Sequence, residues 1–381
     1  MDFSWSDQQK ELFKAIERFA SQELNHNLIE NDSEGVFNRA GWKKCGDMGI
    51  QGLAVPVEYG GLGQDPVTTV GALERLGYAC RDNGLVFSLN AHMWTVCAPL
   101  VAFGTEEQKK KFLPGLCNGD LIGGNAMSEP GSGSDAYSMR TTAVLQGDKY
   151  ILNGSKTFVS NGPVADMVVV FAVTDKSKGA AGISAFLVEK SFKGFSVARK
   201  LEKMGLRTSP MAELFFEDCE VPVGNRLGRE GAGASLFTHS MTWERGCILS
   251  SALGAMQRLL ETCIRYARER KQFGQSIGKF QQIGGKIVDM KLRLESARMI
   301  AYHGAYQRSI GRSAVMEAAM SKLHISDCWV KNCEDAIQIH GGYGYMTDYE
   351  IERELRDAMG SRIYSGTNEI QRNLIASLLG V

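Results

Sequence analysis

Three stretches of the chain, residues 234 to 270, 279 to 309 and 313 to 339, carry apolar side chains at steps of three and four, separated only by short breaks. Long helices with one apolar stripe each must bury those stripes on one another, which predicts a helix bundle from about Gly231 to Val381. Within the first stretch, SMTWERGCIL at 240 to 249 poses a problem. Phe237, Met241, Glu244, Ile248 and Ala252 fall on one face of a single helix expected from Ala234 to Arg270, and four of the five are apolar. The fifth is a carboxylate, and an ionised carboxylate on a buried face needs a reason.

The bundle is not the whole chain. From Ser6, SDQQKELFKAIERFASQEL places an N-cap candidate ahead of Leu12, Ile16 and Phe19 at helical spacing, and helical runs continue to about Leu121, broken by EYGGLGQDP, Gly104 and Pro114. After Pro130 the texture changes. TTAVLQGDKYILNGSKTFVSNG sets β-branched and aromatic residues between Gly-Asp and Asn-Gly turn signals, and VVVFAV, GISAFLVEK, GFSVARKL and AELFFEDCEV follow in the same style. The chain therefore divides into helical residues 1–121, a β-domain at 122–230 and a helical bundle at 231–381. At 381 residues it is long enough for such a composite.

Composition narrows the function classes. Lysine plus arginine equals aspartate plus glutamate at 43 each, so the total charge points neither to nucleic acid nor to a membrane surface, and a small molecule or a protein is the expected partner. Nine scattered cysteines without a C-x-x-C read as reduced thiols, with Cys247 and Cys263 as small core residues, and six histidines without ligand spacing argue against a metal enzyme. The start MDFSWSDQQKELF lacks the basic and apolar regions of a signal peptide, no apolar run of about 18 residues stands out, and a cytoplasmic address is expected. The common dinucleotide, phosphate-loop and zinc-helix signatures are absent.

Two loops could approach a flat or anionic ligand closely, SEPGSGSDA at 128 to 136 and IHGGYGYM at 339 to 346. Each is a weak signal alone. Taken in order, a helical domain, SEPGSGSD, a β-domain, QFGQSIGKFQ, IHGGYGY and IYSGTNEIQR, the whole chain resembles the acyl-CoA dehydrogenase family. The resemblance implies an α+β fold of an N-terminal helical domain, a central β-barrel and a C-terminal four-helix bundle, assembled as a homotetramer, with FAD extended between barrel and bundle and reaching a neighbouring subunit. It implies removal of an α-proton and a β-hydride from an acyl thioester.

Carried over residue by residue, the resemblance assigns Met127, Ser128, Gly133 and Ser134 to the loop where flavin and substrate meet. Phe158 and Ser160 match the aromatic and hydroxyl beside the flavin ring. Arg270, Gln272 and Phe273 match the segment that reaches a neighbour's FAD. Gln338, Gly341 and Gly342 match the loop over the adenosine diphosphate, and Thr367 and Glu369 the turn after the last active-site loop.

Many family members carry the catalytic glutamate in a loop written I-Y-E-G-T; here it reads IYSGT, and the hydroxyl of Ser365 is too weak a base for an α-proton. The isovaleryl-CoA dehydrogenase branch carries its glutamate on the bundle helix before an arginine, and WERG at 243 to 246 matches that position, making Glu244 the expected base. Desolvation would strengthen it, Arg245 would offset part of the burial cost, and the Ser365 and Gly366 backbone would hold the thioester carbonyl, with Ser134 and Arg245 also near substrate.

DNGLVFSLNAHMW at 82 to 94 and SMTWERGC resemble the prolyl carrier-protein dehydrogenases, which oxidise proline tethered to an acyl or peptidyl carrier protein. Trp243 is equally a pocket wall or a core residue. A short- or branched-chain acyl-CoA substrate is the alternative, since both present a phosphopantetheine arm, and a non-catalytic flavin-binding subunit is an alternative of another class. Arg199, Lys200, Lys203 and Arg207 are candidates for a basic rim that meets an acidic carrier. Electron-transfer flavoprotein and oxygen are both compatible as acceptor.

Overall fold

The computed structural model describes residues 4–381, so the first three residues of the N-terminal stretch lie outside it. The N-terminal third is helical: α1 (Asp7–Glu23), α2 (Leu28–Glu34), α3 (Arg39–Asp47), α4 (Pro66–Ala79), α5 (Asn83–His92), α6 (Ala98–Phe103) and α7 (Glu106–Cys117). Ser6 caps α1 as its sequence predicts. Its hydroxyl accepts from the Gln9 amide at 3.2 Å, and the Gln9 side chain accepts from the Ser6 amide at 2.9 Å. Gly104 ends α6, but Pro114 does not break α7; it sits in the last turn, where few carbonyls remain to be bonded, and the Asn118 amide still reaches the Pro114 carbonyl.

Residues 83–103 are one continuous helical run, with a π-turn at Met93–Cys97 joining α5 to α6. Contrary to the sequence expectation, this run is long and apolar enough to cross a membrane, yet 83% of its window is buried inside the protein. A fully buried helix is apolar all round because every face meets the core. Trp94, Leu89, Val96 and Leu100 are all buried.

The β-domain comprises β1 (Gly123–Ala126), β2 (Thr142–Gln146), β3 (Lys149–Ser160), β4 (Met167–Val173), β5 (Ile183–Glu189), β6 (Phe195–Lys200), β7 (Met211–Pro222) and β8 (Arg226–Leu227). They pair in the order β6-β7-β3-β2-β4-β5-β8, with β1 parallel to β4. The two leaves of this barrel-like sheet meet between β2 and β4 at a single pair, Thr142 and Val173. Gly147 and Asp148 form the β2–β3 hairpin turn with Gly147 at φ +63°, as read from sequence, whereas Asn153-Gly154 is a bulge inside β3. The run VVVFAV is apolar throughout because β4 is buried on both faces. Met167, Val169 and Phe171 pack in a cluster with Leu113 and Leu236 from the helices, while Val168, Val170 and Ala172 pack with Leu152, Leu214 and Phe216 within the sheet.

The C-terminal part holds α8 (Gly233–Cys247), α9 (Ser250–Glu269), a small hairpin of β9 (Lys271–Gln272) and β10 (Gln275–Ser276), α10 (Gln281–Ser309), α11 (Val315–His340), the short α12 (Gly342–Tyr345), α13 (Ile351–Gly360) and α14 (Asn368–Leu379). The single helix expected from Ala234 to Arg270 is two. The chain turns at Ile248 and Leu249, with Leu249 at φ −96° and ψ 6°, and no glycine or proline marks the break. The face is right nonetheless: Met241, Glu244, Ile248 and Ala252 are all buried, and Phe237 is partly so.

Candidate functional site

Glu244 lies on α8 with 7% of its surface exposed. One carboxylate oxygen, Oε1, accepts a hydrogen bond from Ser365 Oγ at 2.6 Å; the other, Oε2, is buried with no partner among the described residues. A buried carboxylate oxygen left unpartnered costs free energy and calls for an explanation, of which a part in chemistry is one. Burial pushes the Glu244 pKa up, against the opposing pull of the Ser365 hydroxyl and the charges of Arg245 and Lys322.

The Ser365 hydroxyl is held in place from below. Ser365 has φ +59° and Gly366 φ +84°, a sequence of left-handed residues that a serine adopts only when its surroundings insist. The Ser365 carbonyl accepts from Arg245 Nε at 3.1 Å and from Gln371 Nε2 at 3.1 Å, and the Gly366 carbonyl accepts from Gln371 Nε2 at 2.8 Å. Neither the Ser365 nor the Gly366 amide has an acceptor among the described residues. These N–H groups are free to receive a carbonyl oxygen.

Four supporting residues escaped the sequence reading. Gln371 clamps the turn, as just described. Lys322 on α11 is fully buried, donates to Asn368 Oδ1 at 2.9 Å, and has its pKa pulled down to about 7, first by burial and then by the Arg245 charge. Tyr364 precedes Ser365, and its ring packs on Phe87 of α5 with centroids 4.7 Å apart. Burial and the neighbouring Glu244 raise the Tyr364 pKa. The IYSGTNEIQR match pointed at this loop, but nothing in the sequence connects Phe87 or Lys322 to it.

Trp243 is part of a stack. Its ring lies parallel to Trp94, with 5.6 Å between centroids and 3° between planes, and the Arg308 guanidinium carbon sits 3.9 Å from its centroid. The stack supports α8 one residue before Glu244.

A second group forms at the β-domain. Met127 is buried and Ser128 half-buried after β1, so SEPGSGSDA joins β1 to β2 rather than preceding the sheet. The Ser128 carbonyl accepts from the Thr157 amide at 2.9 Å. The β3–β7 ladder slips between Lys156 and Val159, and in that slip Phe158 takes φ +56° and leaves its ring 66% exposed; Ser160 returns to the ladder, half-buried. Gly133 and Ser134 are exposed, and a side chain at Gly133 would meet nothing within 4 Å.

A third group surrounds a cavity of about 520 Å³ lined by Arg270, Gln272, Gly341 and Gly342 together with Tyr266 and His340. The Arg270 guanidinium faces the Tyr343 ring at 5.6 Å, and Tyr266 stacks on His340 at 4.2 Å. Phe273, at φ +51°, is 92% exposed. Gln338 is exposed on α11 outside the cavity lining, Thr367 caps α14 by accepting from the Ile370 amide at 3.3 Å, and Glu369 is an exposed neighbour of Arg372. None of the cavity's residues belongs to the Glu244 cluster.

Of the basic rim, Lys203 gives its ammonium to the Leu206 and Ser209 carbonyls at 2.6 Å each, Lys200 bonds the Gly35 carbonyl, and Arg207 bonds the Lys203 carbonyl. Lys203 and Arg207 tie down their own loop, while Lys200 ties the end of β6 to the C-cap of α2. Arg199 alone is exposed and without a hydrogen-bond partner among the described residues.

The Ser365 contact predicts a pH effect. A hydrogen bond to the carboxylate favours its charged form, so Ser365→Ala raises the Glu244 pKa further. A base must be deprotonated to act, so the acid limb of the pH–rate profile moves to higher pH in the variant, and the two profiles converge at alkaline pH. An unmoved limb would separate Ser365 from Glu244.

Comparison with known proteins covers the whole chain. The N-terminal, middle and C-terminal domain models of acyl-CoA dehydrogenase match residues 6–120, 124–219 and 231–380. The chain is 41% identical over 377 residues to an L-prolyl-[peptidyl-carrier protein] dehydrogenase of Pseudomonas fluorescens and, equally, to a short-chain specific acyl-CoA dehydrogenase of Clostridium acetobutylicum, with 99% of this chain and of each relative covered. Among solved structures, the prolyl acyl carrier protein oxidase AnaB superposes with a TM-score of 0.98 at 52% identity, covering 99% of this chain and 100% of AnaB. PigA with FAD and proline gives 0.97 at 40% identity, covering 100% and 99%.

Proposed function

The chain belongs to the acyl-CoA dehydrogenase family, and from that premise we propose that it oxidises an L-prolyl group carried as a thioester on an acyl or peptidyl carrier protein, giving a pyrroline-carboxyl thioester for natural-product biosynthesis. It is an FAD-dependent oxidoreductase. The residues at hand suit that cofactor. Phe158 and Phe273 present aromatic faces to the outside from left-handed backbone, open glycines at 133, 341 and 342 admit close approach, and Arg270 offers a cation at the third group's cavity. Met127, Ser128, Phe158 and Ser160 would hold the ring end, and Arg270, Gln272, Phe273, Gly341 and Gly342 the nucleotide end. When bound, FAD supplies a hydride acceptor.

The chain's own residues manage the proton and the carbonyl. Glu244 takes the substrate α-proton on Oε2, its basicity raised by burial, while Ser365 keeps Oε1 occupied and so fixes which oxygen faces substrate. The free amides of Ser365 and Gly366 hold the thioester carbonyl as negative charge builds on it. Arg245 anchors the turn that carries both functions. The single observation that carries this reading is the orphaned Oε2 opposite a strained serine in the place where relatives of another branch keep a glutamate.

The prolyl assignment is supported by the 52% identity to AnaB and by Tyr364, which neighbours Glu244 and packs on Phe87 and whose aromatic ring suits a small ring as partner. An electron-transfer flavoprotein or oxygen removes the electrons. The test is anaerobic mixing of the yellow holoenzyme with prolyl-loaded carrier protein and, separately, with short acyl-CoAs. Bleaching by the prolyl carrier at least tenfold faster than by any CoA ester is expected; bleaching by a CoA ester alone would return the enzyme to acyl-CoA oxidation.

Assembly as a homotetramer belongs to the same proposal. Val288, Leu292, Met299 and Tyr306 follow along one side of α10 at steps of four and seven and are all exposed, an apolar stripe that a second copy would cover. Leu292→Glu with Met299→Glu is expected to convert the tetramer to smaller species in light scattering; an unchanged mass would leave the stripe without that role.

A further inference from the structure

Behind Met127 and Ser128, Lys156 is fully buried and its ammonium has three acceptors: the Met127 carbonyl at 3.0 Å, Glu129 Oε1 at 2.9 Å and Met139 Sδ at 3.8 Å. Glu129 is buried too, and it accepts from the Arg140 amide at 2.6 Å and the Thr141 amide at 2.9 Å, so one carboxylate closes the loop from 129 to 140 back on itself. One residue beyond Lys156, the Thr157 amide binds the Ser128 carbonyl, and one residue further the chain flips to expose Phe158. A single ion pair thus sits where both walls of the second group originate.

Such a pair is a poor way to gain stability. Burial draws the Lys156 pKa down to about 8 even against the raising pull of Glu129, and two apolar side chains of similar volume usually serve a core as well or better. What a lysine provides and a leucine does not is direction, because its three donors fix the Met127 carbonyl and the Glu129 carboxylate at set places relative to β3. We propose that the Lys156–Glu129 pair is a positioning device for the flavin site, holding the Met127–Ser128 wall against the Phe158–Ser160 wall in the spacing the cofactor needs before it binds. The inference rests on the reading of these walls as FAD-facing.

The experiment uses the full chain stripped of FAD, in four forms: wild type, K156M, E129Q, and K156M with E129L. Each is titrated with FAD, following flavin fluorescence well below the thermal midpoint, and the bound flavin's visible absorption is recorded. Replacing both partners by apolar groups is expected to leave the apoprotein's thermal midpoint near the wild-type value, yet to weaken FAD binding at least tenfold and shift the flavin absorption band. E129Q, which keeps the size and part of the hydrogen bonding, is expected to weaken it several-fold, and it carries the test if K156M alone fails to fold. Wild-type affinity and an unchanged spectrum in the double variant would overturn the inference and leave the flavin reading intact. Wild-type apoprotein that takes up no FAD would overturn the flavin reading itself.

Discussion

Glu244→Gln is expected to slow flavin reduction by substrate by roughly 10³-fold, within the 10² to 10⁴ that a positioned base contributes, with FAD still bound and the fold intact. The substitution is nearly isosteric, and the amide oxygen of glutamine still accepts from the Ser365 hydroxyl, so the loop around Ser365 keeps its anchor. The one thing removed is the lone pair that the free Oε2 offers to a proton. Single-turnover reduction in the stopped flow isolates that step from product release. Activity within a few-fold of wild type would remove Glu244 from the mechanism. Loss of reduction with retained flavin would exclude the reading of this chain as a non-catalytic flavin-binding subunit, because such a subunit has no activity to lose.

Glu244 was legible because period and chemistry disagreed at one position. The steps of three and four put it on a buried face, and the structure leaves it there with 7% of its surface exposed. The same periodicity could not show the break at Ile248 and Leu249, where both residues are apolar and the nearest glycine, Gly246, still lies inside α8. Local propensity favours continuing the helix, and tertiary packing turns it. The Lys156–Glu129 pair was invisible for a different reason: the two residues are 27 positions apart, in a strand and a loop, and no local pattern links them. In the basic rim, composition suggested a charged surface, while Lys200, Lys203 and Arg207 spend their donors on backbone carbonyls that a sequence cannot show as needing them. The flat apolar run at 83 to 103 failed in the opposite sense, since a helix buried on all sides and one facing lipid share a composition.

Glycines inside helices are the sharpest case of a local cost hiding a tertiary gain, and Gly254→Ala is expected to lower the thermal midpoint by roughly 2 to 3 °C. By propensity alone the change should stabilise α9 by about 1 kcal/mol. In the fold, α9 crosses α4 at Gly254 and Gly77, and a Cβ on Gly254 would run into the Glu74 carbonyl oxygen and the Tyr78 nitrogen, both backbone atoms that have nowhere to move. The helices would have to part. Arg258, one turn along α9, would then lose its bonds to the Gly77, Tyr78 and Cys80 carbonyls, the last acceptors of α4 and its cap, and with them the brace to Glu354 at 2.8 Å. Overpacking of this kind costs about 3 kcal/mol, which outweighs the propensity gain. Gly285→Ala on α10 is the control, because a Cβ there meets nothing within 4 Å in its own subunit and no packing within the fold opposes the propensity. That variant should melt at or slightly above the wild-type temperature, and if the two variants melt together, the close crossing of α4 and α9 is not what the glycine at 254 provides.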